Sequence, residues 1–172
     1  LMRILFYLGH PAHYHLFKNV ISELLKKNHK VSILIKKKDI LEDLLIQSGY
    51  EYLNILPEGR KDNRVGIAWG LLKRDFSMFK FCLKHNIDIM LGTSTEITHV
   101  GKILNIPSII VEEDDYNEVP LFSKLGYPFA RNILAPISCP TGPINSEWEN
   151  KTIHYEGFHE LAYLHPKRFT PM

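Results

Sequence analysis

Ile4-Leu5-Phe6-Tyr7-Leu8-Gly9-His10-Pro11 is the stretch that decides how this 172-residue chain folds. A short apolar run stopped by glycine reads as a strand covered on both faces, as in parallel sheets. Pro11 then opens a helix, because its missing N–H costs nothing in the first turn. Leu16, Phe17, Val20, Ile21, Leu24 and Leu25 repeat at helical spacing, Lys26 and Lys27 suit the last turn, and Asn28 can end it. Working outward, 30–35 predicts a second strand. Asp39 with Glu42 resembles a capping box for a helix to about Ser48, with Gly49 as the stop. Strands are expected over 51–56, 88–91, 107–111, 132–136 and 152–155. Helices are expected over 67–84, from about Thr95 to Leu104 behind Thr93 and Glu96, and over 119–125. The segments 57–66 and 140–150 read as a charged loop and an irregular loop. Strand and helix periods alternate about five times, which is the pattern of linked βαβ units. The expected fold is α/β: a mostly parallel sheet with helices on both faces.

Composition narrows the function classes. The chain is 45% apolar, the length of one domain, and its 21 basic and 19 acidic residues leave a formal charge of +2. So small an excess gives no argument for nucleic acid as a partner. Cys82 and Cys139 have neither disulfide-scaffold density nor metal spacing and are expected as free, buried thiols in a reducing compartment. The apolar start is broken at once by Gly9-His10-Pro11 with no small-residue cleavage site, so it is not read as a secretory segment. No run reaches the eighteen or so apolar residues of a spanning helix.

Right-handed crossovers place the loops that follow parallel strands at one rim of the sheet. Four are expected to converge there: 9–15, 92–96, 112–116 and 156–160. In the first, Gly9 permits a tight exit and the helix start offers backbone N–H groups to a phosphate or carboxylate. His10, His13 and His15 lie within it; His10 and His13 are the candidates for ligand contact and general base, and His15 points elsewhere. Gly92-Thr93-Ser94 is a small, hydroxyl-rich turn able to hold a polar ligand. Glu112 and Asp114 point the same way if the strand period persists, which makes Asp114 a sugar-hydroxyl acceptor. The run Glu112-Glu113-Asp114-Asp115 matches no zinc pattern, and no resident metal is expected. Glu96 and His99 stand three apart and can pair. GxGxxG, GxxxxGK[ST] and GxSxG are all missing, against dinucleotide, P-loop and serine-hydrolase readings.

The helix over 67–84 carries Trp69, Leu72, Phe76, Phe79 and Leu83 on one stripe, flanked by Lys73, Arg74, Lys80 and Lys84 and preceded by Arg60, Lys61 and Arg64. The stripe is expected to face the core. Lys73, Arg74 and Lys80 are the candidates for contact with an anionic lipid surface.

Leu8-Gly9-His10-Pro11-Ala12-His13, Pro107-Ser108-Ile109-Ile110 and Gly157-Phe158-His159-Glu160-Leu161-Ala162-Tyr163-Leu164-His165-Pro166 resemble the DUF354 family. That family is of unassigned function and related to GT-B glycosyltransferases, MurG and UDP-N-acetylglucosamine 2-epimerase. The resemblance implies a Rossmann-like three-layer domain, the N-terminal domain of a GT-B fold, over residues 1–156. It implies that 157–172 begin the connection to a second domain absent from this chain. On this resemblance Gly9, His10 and His13 form the acceptor-side loop, and His159 and Glu160 join the ligand-binding set with Gly92, Thr93, Ser94 and Glu112. The epimerase relatives carry an acidic residue where this chain has Thr93, and a glutamate near Glu112.

The leading expectation is a glycosyltransferase-like protein that uses a nucleotide sugar and a sugar or lipid-linked acceptor, with no cofactor. It would be inactive without its second domain and cytoplasmic, peripheral at the inner membrane face. The alternatives are a UDP-sugar 2-epimerase or hydrolase, and a non-catalytic sugar- or protein-binding module.

Overall fold

The computed structural model describes residues 1–36, 38–56, 64–112 and 114–169, with backbone only at 64, 65, 67 and 68. The side chains of Arg60, Lys61, Arg64 and Glu113 lie outside the described residues. Strands β1 (Arg3–Leu8), β2 (Lys30–Lys36), β3 (Leu53–Leu56), β4 (Ile89–Gly92), β5 (Ser108–Val111), β6 (Asn132–Pro136) and β7 (Thr152–Tyr155) alternate with helices. The helices are α1 (Pro11–Lys26), α2 (Leu41–Gln47), α3 (Arg64–His85), α4 (Glu96–Leu104), α5 (Pro120–Gly126), α6 (Glu147–Asn150) and α7 (Leu161–Leu164), with a 3-10 turn at Tyr127–Phe129.

The strands form one parallel sheet in the order β3-β2-β1-β4-β5-β6-β7. β1 therefore lies inside, and the order reverses between β1 and β4, where such sheets open a crevice at their carboxyl ends. Its alternation feeds two cores. Ile4, Phe6 and Leu8 pack with Phe17, Ile21, Leu41 and Leu45 of α1 and α2. Leu5 and Tyr7 pack with Met78, Cys82, Ile97 and Val100 of α3 and α4. Full burial of each large apolar side chain here is worth about 1.5–3 kcal/mol. At the opposite rim the Asp88 carboxylate accepts from Arg3 N–H (2.7 Å) and from Arg3 Nη2 (2.7 Å), tying β1 to β4. Those hydrogen bonds hold its pKa down to about 2.

Helix ends follow local chemistry with two exceptions. Asn28 (φ 62°) and Gly49 (φ 68°) stop α1 and α2 in the left-handed region, as their sequence positions suggest. Asp39 does not cap α2: its own φ is 45°, the helix starts at Leu41, and the N-cap is Ile40 without a side-chain bond. Thr93 does not cap α4 either; Thr95 is the N-cap, and the Thr93 hydroxyl is engaged elsewhere. The segment expected as an irregular loop contains the one-turn α6, whose N-cap Ser146 accepts from Glu149 N–H. Cys82 is buried and Cys139 only partly so; neither forms a disulfide.

The largest correction concerns α3. Trp69, Leu72, Phe76 and Leu83 face solvent instead of the core, and only Phe79 of that stripe packs partly against it. The buried line is Arg74, Met78 and Cys82, one helical turn apart. Arg74 is therefore no membrane-surface residue: its guanidinium is paired in the interior with Glu96. Glu96 consequently does not pair with His99, whose Nδ1 meets Asp75 at 3.0 Å. Among the described residues no helix is long and apolar enough to cross a membrane.

Candidate functional site

At the carboxyl end of β1 the chain turns through buried Gly9 into α1, and exposed His10 becomes the helix N-cap. Its Nδ1 accepts from Ala12 N–H at 3.2 Å, doing the work an Asp or Ser side chain usually does. One turn on, His13 Nδ1 accepts from Gly9 N–H at 3.0 Å. That leaves the proton of the neutral ring on Nε2, and Thr93 Oγ1 lies 2.9 Å from both ring nitrogens. Thr93 belongs to the turn after β4, so this contact spans the crevice where the strand order reverses. Gly92 makes the approach possible, since a Cβ there would stand 2.9 Å from Tyr7 O.

Burial, then the nearby charges of His10, Lys36 and His159, push the His13 pKa down to about 4. The ring is neutral at physiological pH. Lys36 ends β2, where the register Leu8↔Ile35 brings it level with Gly9. Its Nζ lies 3.7 Å from the position a Gly9 Cβ would take. An ammonium, two imidazoles and the first turn of α1 thus surround one small space, a combination suited to an anionic oxygen. Lys36 was missed at the sequence level. Its signal was a cation at the end of the strand neighbouring β1, legible only once the pairing is known.

The Thr93-Ser94 turn is braced from below. Ser94 Oγ donates to Glu96, whose carboxylate also receives Arg74 Nε; Arg74 and Glu96 are 6% and 2% exposed. Beyond them His99 bridges Asp75 and Leu125 O (2.9 Å), and these hydrogen bonds raise its pKa despite burial. Ser94 and Thr93 are therefore held as a rigid wall of the crevice.

The third loop departs from the expected geometry. β5 ends at Val111, so the strand period does not continue and Glu112 and Asp114 do not share a direction. Glu112 is buried, accepts Asp114 N–H at 3.2 Å, and stands beside Tyr127, whose phenol is held protonated chiefly by burial and next by the Glu112 charge. Asp114 itself is exposed. The charges that act on His13 include those of His10, Lys36 and His159.

The fourth loop turns at Gly157 (φ 105°), a conformation that favours glycine, and folds back along α1. His159 is buried and stacks on Tyr155 with ring centroids 5.9 Å apart. Glu160 is exposed and N-caps α7, which is held to α1 by Asn19 Nδ2 donating to Ala162 O (2.8 Å) and by His15 against Tyr163 (5.6 Å). His15 thus serves packing. Between α1, the sheet and this loop lies a largely apolar cavity of about 490 Å³, walled by Phe17, Leu91, Val111, Leu134 and Phe158 with His159 at its edge.

No protein-family model and no curated protein sequence matches the chain. Solved structures do. MurG from Acinetobacter baumannii superposes with a TM-score of 0.66 at 15% identity, over 90% of this chain and 45% of its own. UDP-GlcNAc 2-epimerase from Neisseria meningitidis, bound to UDP-GlcNAc, gives 0.69 at 15% identity, over 95% and 49%. A spinosyn rhamnosyltransferase complexed with thymidine diphosphate gives 0.60 at 16%, over 86% and 48%. The chain spans about half the length of each of these proteins. Together with the seven-stranded parallel sheet and its flanking helices, these likenesses show a Rossmann-like domain with the architecture of the GT-B N-terminal half.

Proposed function

We propose that this chain is the acceptor-side domain of a glycosyltransferase-like protein that acts on nucleotide sugars. The observation that carries the reading is the His13–Thr93 contact across the strand-order reversal, with Lys36 and the start of α1 beside it. Such a space suits a phosphate or sugar oxygen. The proteins of similar fold include one bound to UDP-GlcNAc and one complexed with thymidine diphosphate, which supports a nucleotide sugar as substrate. The finer resemblance to DUF354 fits the same picture: its motif Leu8–His13 turns at this rim, and Gly157–Pro166 folds back from it along α1.

His13 and His10 take different roles. A ring with a pKa near 4 is a poor base at neutral pH, so His13 acts as a neutral donor that fixes the rim and meets a ligand oxygen. Exposed His10 is the base. A ligand oxygen that takes over Ala12 N–H releases the Nδ1 lone pair, which then accepts the acceptor hydroxyl proton. Asp114 orients a sugar hydroxyl from the neighbouring loop; His159 and Glu160 close the far side. A second domain, joined beyond 157–172, binds the nucleotide, and closure excludes water. This chemistry belongs in the cytoplasm, where nucleotide sugars are available.

The test combines turnover with binding. The 172 residues alone should leave UDP- and dTDP-sugars unchanged, while inorganic pyrophosphate or UDP-GlcNAc shifts the amide resonances of Gly9, Ala12, Gly92 and Thr93. Lys36→Ala should weaken those shifts at least about tenfold, as expected for loss of one charge-assisted contact. Sustained sugar transfer by this chain alone, or shifts confined to other surfaces, overturns the reading. Acceptor-independent release or epimerisation of the sugar, abolished by Glu112→Gln, establishes the epimerase or hydrolase alternative instead.

A further inference from the structure

The solvent face of α3 has two flanks of different chemistry. Trp69, Leu72, Phe76 and Leu83 are 60%, 59%, 59% and 57% exposed. Lys73, Lys80 and Lys84 are exposed next to them, and no carboxylate stands among the exposed described residues of the helix. At 3.6 residues per turn the four apolar side chains fall on one arc and the three lysines on the adjoining one. The Lys80 ammonium lies over the Phe76 ring, 4.3 Å from its centroid, so the two flanks meet. From Trp69 to Leu83 the patch runs about 21 Å, at 1.5 Å per residue. An apolar patch of this extent, rimmed by one sign of charge, is a surface that is covered in use.

Charge selects the cover. A second copy packed α3 to α3 would set lysines against lysines with no carboxylate of this face to pair them, which disfavours such a contact. An anionic bilayer satisfies both flanks at once. Indole, phenyl and leucyl groups enter the headgroup boundary, while lysine stems lie along them and carry the ammonium groups to lipid phosphates. We propose that α3 rests flat on an anionic lipid bilayer through Trp69, Leu72, Phe76 and Leu83, with Lys73, Lys80 and Lys84 on the headgroups. Arg74 has no part in this contact, being buried against Glu96.

Docked in this way, the crevice lies beside the lipid surface. α3 runs back along a parallel sheet, so its Trp69 end lies toward the carboxyl rim, which carries His10 and Thr93. The Arg74–Glu96–Ser94 chain links the docking helix to that rim through the interior. The inference rests on the helix face and is independent of the sugar-transfer reading.

Sedimentation with vesicles tests it. The chain should pellet with vesicles of equal parts phosphatidylcholine and phosphatidylglycerol, not with phosphatidylcholine alone, and added salt should release it. Each surface lysine contributes roughly fivefold to partition, so the Lys73→Gln, Lys80→Gln, Lys84→Gln variant should bind about 100-fold less. Trp69→Ser with Phe76→Ser should also abolish pelleting. All five side chains are exposed, so circular dichroism should show each variant folded. Failure of the unaltered chain to pellet with anionic vesicles, or equal pelleting of the lysine variant, overturns the proposal. So does self-association of the chain that Phe76→Ser removes without any vesicle binding, which would assign the face to a second copy.

Discussion

His13 is a residue whose charge the fold has settled. Its Nδ1 takes a backbone N–H, the Thr93 hydroxyl stands against both ring nitrogens, and burial with three basic neighbours holds the ring neutral down to about pH 4. In the unfolded chain the same ring titrates near 6.5. Between those values the unfolded state binds the extra proton, so stability is fully present above about pH 6.5 and falls as the pH drops toward 4. The difference amounts to about 3 kcal/mol. Urea unfolding of the native chain and of His13→Asn, run from pH 7 to pH 4, should therefore converge as the pH falls. A native chain that loses no more stability than the variant across this window would show that the ring is not neutral in the fold. Lys36 reaches the same space by strand pairing alone, and this is why the residue pattern did not disclose it.

Among the elements, α3 shows how one periodicity supports two orientations. Trp69, Leu72, Phe76 and Leu83 form an apolar stripe, and so do Met78 and Cys82 with Arg74 in line. Hydropathy favours the first as the buried face, because it contains no charge. The fold buries the second, because Glu96 of α4 meets the guanidinium and removes the cost of an unpaired interior cation. Arg74→Ala takes the guanidinium away from buried Glu96 and should cost about 3–5 kcal/mol in urea unfolding. Arg74→Met combined with Glu96→Gln should recover a large part of that loss. A single variant that unfolds at the native urea concentration would mean the pair contributes nothing to holding α3 against α4.

Across the whole molecule, stability should be graded from the middle of the sheet outward. β1 is paired on both sides and buried on both faces, whereas α7 is a single turn on the outside of α1, whose contacts include Asn19 to Ala162 O and His15 against Tyr163. Amides of β1 should exchange with deuterium only on global unfolding, and those of Leu161–Leu164 through a local opening at much lower free energy. Equal protection of the two would show that the terminal segment is integral to the core. The sequence by itself determined the alternating elements, the parallel sheet and the loops that gather at its carboxyl rim. Those follow from local period, turn chemistry and the handedness of crossovers. Gly9, His10 and His13 were legible for the same reason, since they lie within one strand-to-helix turn. Only the tertiary structure decided that Lys36 and Thr93 meet at His13, that Glu112 turns inward while Asp114 faces water, and that α3 shows its aromatic side to solvent. Each of these depends on which residues distant in the chain become neighbours, and pairing register and interior charge compensation are properties of the assembled sheet rather than of any segment.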